Sequence, residues 1–275
     1  MGRSVTAPKI EGLNMKKLVL ALTAVAAFSA PAVAADMGRP MTKAPVAVAQ
    51  AYNWTGFYIF GGAGGGLWAS DQNVQTTVGA VPLTIDQRMG GSGWFGTVGI
   101  GYDWQVRPTW VVGVFGDGQF GSIKGSLSDP TVGWTARQKV EDSWAAGVRV
   151  GVLVAPNVLS YVNGGYSGAH FSGATFVSNF TGLNVGAHTN AYNRNGWFVG
   201  GGVENNLNIF GISAPGWFMK TEYRSAYYDK KTINELVDVT NLPVGRDIRA
   251  NNWNQTISTS LVYRFNWGGP VVAKY

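Results

Sequence analysis

The stretch from Ser143 to Phe171 reads SWAAGVRVGVLVAPNVLSYVNGGYSGAHF, and its alternation decides the fold. Trp144, Ala146, Val148, Val150, Val152 and Val154 share one parity, and Arg149 stands on the other. A period of two with one apolar face is a β-strand pattern. Pro156-Asn157 supplies turn residues, and a second run of the same kind follows at once. The stretch is therefore a hairpin of two long strands.

Working outward, the sequence predicts eight such strands: 57–69, 93–105, 109–121, 143–155, 158–171, 195–207, 216–228 and 254–265. Each is long enough for a tilted membrane strand of about 9–11 residues. The intervening gaps are 23, 3, 21, 2, 23, 8 and 25 residues. Short turns on one side and long loops on the other are the organisation of an outer-membrane barrel. An even strand count returns the chain to the side on which it began. The expected fold is all-β, an eight-stranded antiparallel up-and-down transmembrane barrel with both termini periplasmic.

The same parity sorts the charges. Val98, Ile100, Tyr102 and Trp104 oppose Asp103; Trp217, Met219, Tyr223 and Tyr227 oppose Lys220, Glu222 and Arg224; Ile257, Leu261, Tyr263 and Phe265 oppose Arg264. Asp117, Arg149 and Glu204 likewise stand opposite valines. A soluble barrel would point its apolar stripe inward. Three features choose the other hand: an export signal, the loop alternation, and indoles at strand ends (Trp94, Trp104, Trp110, Trp144, Trp197, Trp217), where membrane interfaces recruit them. The eight charges are then expected in a narrow, side-chain-filled lumen, four acids against four bases, as a structural polar plug rather than an ion path. Gly99, Gly101, Gly147, Gly151, Gly200 and Gly202 share the inward parity and are expected to leave space for the long Arg and Lys chains.

Composition agrees. Among 275 residues there are 39 Gly, 11 Trp and no Cys, and 13% are charged. A soluble domain carries about 25% charged residues and about 7% Gly. Disorder, coiled coil, disulfide scaffold and thiolate metal site are all excluded. Residues 1–34 read as an upstream extension and a cleaved signal peptide: Met15-Lys16-Lys17 as the true start, Leu18 to Phe28 as the apolar core, Ala32-Val33-Ala34 as the cleavage site. Removing residues 1–35 takes away four bases and one acid, which lowers the formal charge from +6 to +3. No nucleic-acid partner follows from so small a charge. Residues 35–52, with Pro40 and Pro45, read as an extended periplasmic linker, and 53–275 as the barrel.

Asn53-Trp54-Thr55-Gly56-Phe57-Tyr58-Ile59 and the glycine-rich run after it resemble the opening strand of the alphaproteobacterial outer-membrane immunogenic proteins, small barrels of a porin family. Gly113 to Asp117, Gly201-Gly202-Val203-Glu204, Lys220-Thr221-Glu222-Tyr223 and Val262-Tyr263-Arg264-Phe265 resemble its later strands. The resemblance implies an eight-stranded outer-membrane barrel with exposed loops, set in outer-membrane lipid and lipopolysaccharide. It also implies a C-terminal aromatic read by the barrel assembly machinery. Tyr263 and Phe265 are the candidates, because Asn266 to Tyr275 follow. Relatives tend to have two arginines where this chain has Arg149 alone. Some members are attached to peptidoglycan through a mature N-terminal Ala followed by Asp. Ala35-Asp36 is the matching pair here, and an 18-residue linker reaches up to about 60 Å.

Enzymatic signals are sparse. Gly61 to Gly66 lacks the Lys-Ser/Thr of a phosphate loop, and two His make no His-rich metal site. His170-Phe171-Ser172 puts His and Ser on one strand face, as in some membrane-barrel lipid hydrolases, but no orienting acid or oxyanion site can be placed from sequence. No cofactor is implied. The expected function is a non-enzymatic structural barrel that supports the envelope and presents loops. The alternatives are a small-solute porin and a lipid-modifying enzyme. Charges in the long loops are mixed, so they offer no steering field for ions of one sign.

Overall fold

The computed structural model describes residues 52–212 and 214–265. The expected signal and extension, the Ala35-Asp36 pair and the tail after Phe265 lie outside the described residues.

Among the described residues ten strands follow in order: β1 (Gly56–Thr76), β2 (Gln87–Gln105), β3 (Trp110–Asp129), β4 (Trp134–Ala155), β5 (Val158–Phe171), β6 (Ala174–Ser178), β7 (Asn184–Thr189), β8 (Tyr192–Asn206), β9 (Trp217–Val237) and β10 (Pro243–Phe265). All pair antiparallel, and β1 closes the sheet on β10. The closed ring runs β1-β2-β3-β4-β5-β8-β9-β10. Its eight members contain the eight expected strands, to within a residue at the short-turn end.

The register fixes the dimensions. The chain of partners Gly56, Asp103, Gly113, Arg149, Asn163, Gly200, Arg224, Thr256 returns to β1 at Gly66, a stagger of ten residues from Gly56 to Gly66. Eight strands with that stagger tilt by about 41° and enclose a radius of about 8 Å. Val98, Ile100, Val148, Val199, Ile257 and Leu261 are exposed on the outside. An outward aromatic ring (Trp94, Phe120, Trp144, Tyr166, Trp197, Tyr227, Trp253) marks one edge of this apolar band, and Phe57, Trp104, Trp110 and Trp217 mark the other. The ten residues from Trp94 to Trp104 rise about 25 Å along the axis at this tilt, the height of a lipid-facing band.

The long connections differ from expectation: 70–92, 122–142, 172–194 and 229–253 are mostly strand, not loop. β1 to β4, β9 and β10 continue past the aromatic ring. β6 prolongs β5 after a break at Ser172-Gly173, pairing with β4 as β5 does. β7 leads into β8 across Asn190-Ala191, pairing with β9 as β8 does. The wall thus carries on as a second tier. Ser, Thr, Asn and Gly gave these segments a loop-like composition, and bulges hid their period. Register shifts at Val140/Asp142 and Ala250/Asn252 switch the inward parity of β4 from odd (Arg149, Ala145) to even (Val140, Gln138, Ala136), and of β9 from even (Arg224, Tyr228) to odd (Ile233, Glu235).

The inward glycines also serve differently from the expectation. A Cβ at Gly101 would sit 2.3 Å from the Tyr58 ring, and one at Gly99 would sit 2.4 Å from Phe60. At Gly147 and Gly202 the near rings are Phe198 and Tyr161, so these glycines make room for aromatic rings, and no Arg or Lys side chain is among the nearest atoms at any of the six.

Candidate functional site

The lumen is the candidate site, and it is built in layers. At the short-turn end Tyr52 and Trp54, just ahead of β1, pack on Phe218 with ring centroids 4.9 and 5.1 Å away. Tyr52, the last residue of the expected linker, thus packs with the barrel.

All eight charged residues singled out from the sequence lie inside and are buried. They form two groups of zero formal charge. In the first, Arg149 Nε donates to Asp103 Oδ1 at 2.9 Å and Arg149 Nη1 to Glu204 Oε2 at 3.1 Å. Arg264 Nε donates to Glu204 Oε1 at 2.6 Å, and its Nη2 lies 2.8 Å from Asp103 Oδ2. Two acids and two guanidinium groups thus close a ring. Tyr58 and Tyr161 flank the Arg149 guanidinium, 4.4 and 5.1 Å from its carbon. In the second group Arg224 grips Asp117 with both terminal nitrogens, at 2.8 and 2.6 Å, and reaches Glu222 at 2.8 Å. Glu222 also accepts from Tyr161 and Asn163, and Lys220 Nζ sits 3.3 Å from the Phe60 ring centroid. Fork-to-carboxylate geometry and saturated acceptors are what make buried ion pairs tolerable.

Sequence reasoning missed the inward aromatics Tyr58, Phe60, Phe115, Tyr161 and Phe198. Their signal was present, since each shares parity with a charge or glycine. It also missed Arg194, one residue ahead of the expected sixth strand. Arg194 Nη1 donates to the Ala250 carbonyl at 2.8 Å, and its guanidinium lies over Tyr192 and Phe171 at 5.0 and 5.4 Å. Below it a cavity of about 20 Å³ is lined by Gln119, Ser143, Ser167, Arg224, Tyr228 and Asn254. That is room for about one water molecule.

Above Arg194 the interior changes character. Val74, Leu127, Ala136, Phe176, Ala187, Ile233, Ile248 and Ala250 form a separate apolar core. An ionic group stands beside it: Arg246 Nε donates to Asp129 Oδ2 at 2.7 Å, while Glu235, fully buried, has its Oε2 3.8 Å from Arg246 Nη2. Burial, then the Asp129 charge, pushes the Glu235 carboxyl up to about 8. Burial raises Asp247 as well.

His170 and Ser172 share the outward face but form no dyad. His170 Nδ1 is 2.6 Å from Asn193 Oδ1, and Nε2 faces Glu141 at 3.7 Å. Ser172 Oγ instead accepts from the Lys139 amide at 3.1 Å. Tyr263 and Phe265 point outward, edge to face at 4.8 Å, with Phe265 also against Phe57 at 5.6 Å. Among the described residues no cluster of His, Asp and Glu is arranged to hold a metal.

A closed antiparallel ring with an apolar band outside and paired charges inside is an integral outer-membrane β-barrel. The chain belongs to the outer membrane protein beta-barrel domain family, whose model matches residues 20–265. It is 28% identical over 269 residues to the 31 kDa outer-membrane immunogenic protein of Brucella melitensis, covering 91% of this chain and all of that one. It is 30% identical over 245 residues to the 25 kDa outer-membrane immunogenic protein of Brucella canis, covering 84% and 97%. Among solved structures it is similar to the outer membrane protein OprG from Pseudomonas aeruginosa, with 9% identity, TM-score 0.42 and coverage of 78% and 99%.

Proposed function

We propose that this protein is a non-enzymatic structural barrel, closed to solutes, that holds its second tier outside the cell and both termini in the periplasm. The filled lumen carries this reading. Two neutral ion groups, inward aromatics and a water-sized cavity of about 20 Å³ leave little space for a solute path. Surface presentation fits the immunogenic relatives. In planar bilayers the protein inserts without steps of conductance. A steady, large conductance would replace this reading with a porin.

The partners follow from the same reading. Outer-membrane lipid and lipopolysaccharide meet the apolar band, and the assembly machinery reads Tyr263 or Phe265. Ala35 attaches to peptidoglycan through its free α-amine, which attacks the acyl carbonyl of a separate transpeptidase's acyl-enzyme: an amide forms, the enzyme's acyl ester or thioester breaks, and the released hydroxyl or thiol takes the amine's proton. Sacculi digested with muramidase then release an Ala35-Asp36 peptide on a muropeptide. Sacculi boiled in detergent that keep none of the protein would leave an untethered linker.

A further inference from the structure

On the outer wall just beyond the aromatic ring, β3 and β4 set like charges against each other. Lys124 is the direct cross-strand partner of Lys139, and Arg137 is the diagonal neighbour of Lys124. Direct partners have Cβ atoms about 5 Å apart and diagonal ones about 7–8 Å, and like charges so placed destabilise a sheet. All three side chains point outward. Lys139 is bonded to Glu141 at 2.7 Å, while Lys124 and Arg137 make no ion pair among the described residues. The register offers other arrangements: on β1 and β2 the equivalent step pairs Asp71 with Arg88. Over Lys124, Arg137, Lys139, Glu141 and the outward Asp142, the β3–β4 wall carries an excess of one positive charge.

Depth identifies what compensates them. Phe120 and Trp144, outward and exposed, stand on the same two strands at the edge of the apolar band, and Trp94 is exposed on β2 beside them. A group at the Lys124–Lys139 level therefore lies at the headgroup layer, with acyl chains running down over these rings. We propose that Lys124, Arg137 and Lys139 form a binding site for a phosphate of an anionic lipid headgroup. Two ammonium groups and a guanidinium fork suit a phosphate's charge and its three acceptor oxygens. The site deepens the lipid partnership proposed above, and rests on the wall lying in the outer membrane. It does not depend on which end faces outward when lipid is supplied to both leaflets.

The test uses the folded protein in phosphatidylcholine vesicles, read by the temperature at which the fast-migrating gel form converts to the unfolded one. Diphosphorylated lipid A is titrated in. The same lipid stripped of its phosphates, and inorganic phosphate alone, are the comparisons. Wild type gains a higher transition temperature with lipid A and neither comparison. In Lys124→Gln/Lys139→Gln the lipid A midpoint rises at least about tenfold. In vesicles without lipid A, Lys124→Gln alone melts no lower than wild type, because it relieves repulsion, and this doubles as the folding control. Lys230→Gln/Arg249→Gln, on the β9–β10 wall, keeps the wild-type response. An equal gain in wild type and the Lys124/Lys139 variant, or an equal loss in the β9–β10 variant, overturns the site. So does a Lys124→Gln protein that melts lower without lipid A. If inorganic phosphate reproduces the gain, the lipid assignment is wrong. A failure of the outward orientation shows separately, as protease resistance of the second tier on intact cells.

Discussion

One cylinder has two interiors. Within the apolar band the lumen holds Asp103, Arg149, Glu204 and Arg264, and then Asp117, Lys220, Glu222 and Arg224, set among the rings of Tyr58, Phe60, Phe115, Phe198 and Phe218. Beyond the aromatic ring the same wall encloses Leu127, Phe176, Ile233 and Ile248. The outer faces change in the opposite sense, from Val98, Val148 and Leu261 to Lys124, Arg137 and Arg249. The backbone ladder is continuous across the change, so strand geometry does not decide which face is apolar. The surroundings do. Where lipid wets the outside, apolar residues gain nothing by turning inward, and polar ones must be paired inside. Where water wets the outside, the hydrophobic effect fills the interior as in a soluble barrel.

The two interiors should differ most in the charged layer. Arg149→Ala leaves Asp103 and Glu204 sharing Arg264 alone, and removing one partner of a buried ion pair costs about 3–5 kcal/mol. The gel transition should fall by many degrees while planar-bilayer conductance stays absent, because Tyr58, Tyr161 and Phe218 still fill the section. A large conductance with an unchanged transition would mean that the ions line a path rather than a plug.

The apolar layer should answer differently. Leu127→Ala removes a fully buried side chain from the second tier, at about 3 kcal/mol. Its effect should stay local, with proteolysis of the tier accelerated and the heat-modifiable barrel retained. Equal loss of both tiers would show that they unfold as one unit.

How much of this was legible depends on the layer. Inside the band the outward face carries no charge, only neutral polar groups such as Thr221 and Thr259 among the apolar ones, so one misplaced charge would stand out. Parity alone separated Arg149 from Val148 and Val150, and it put all eight charges on one face. In the second tier neither face is uniform: Gln72, Gln138 and Glu235 are buried among the aliphatics. Bulges then change the parity of β4 and β9 midway. A reading that needs an unbroken period of two over eight residues finds little there beyond Ser122 to Asp129, whose buried positions are Ile123, Gly125, Leu127 and Asp129. Arg194 was lost for the same reason, because it sits where β8 resumes after the break. Inward aromatics escaped notice because sequence parity identifies a face but not what fills the gap over a glycine such as Gly101.

A pH titration sharpens the contrast, because the second tier holds an acid with its proton kept on. Glu235 in the folded tier holds its proton up to about 8, whereas the unfolded chain releases it near 4.5. The folded state therefore binds more protons across that window, and stability falls as pH rises through it. Between pH 6 and pH 7 the loss is about 1 kcal/mol for a single such group. It levels off above about pH 8. The tier should resist protease better at pH 5 than at pH 8, and Glu235→Gln should flatten the slope. A tier equally stable at both pH values would place Glu235 in contact with water.

The smallest effect is expected at the seam between the two interiors. His170 and Ser172 stand where β5 stops and β6 begins. A serine nucleophile needs an imidazole nitrogen aimed at its hydroxyl and an acid on the other nitrogen. Here Nδ1 is engaged by Asn193 and Nε2 is turned to Glu141, while the Ser172 hydroxyl accepts from the Lys139 amide. That bond and the Gln138 bond to the Ser172 carbonyl, at 2.9 Å, tie the broken strand back to β4. The seam residues thus join one tier to the next. His170→Ala and Ser172→Ala should leave the lipid A profile unchanged by mass spectrometry. Ser172→Ala should lower the gel transition only slightly, by about 1 kcal/mol for one partly exposed hydrogen bond, and His170→Ala by less. Loss of a deacylated lipid A species in both variants would mean that the side chains swing into a dyad when lipid arrives, and the seam would then be an active site rather than a splice.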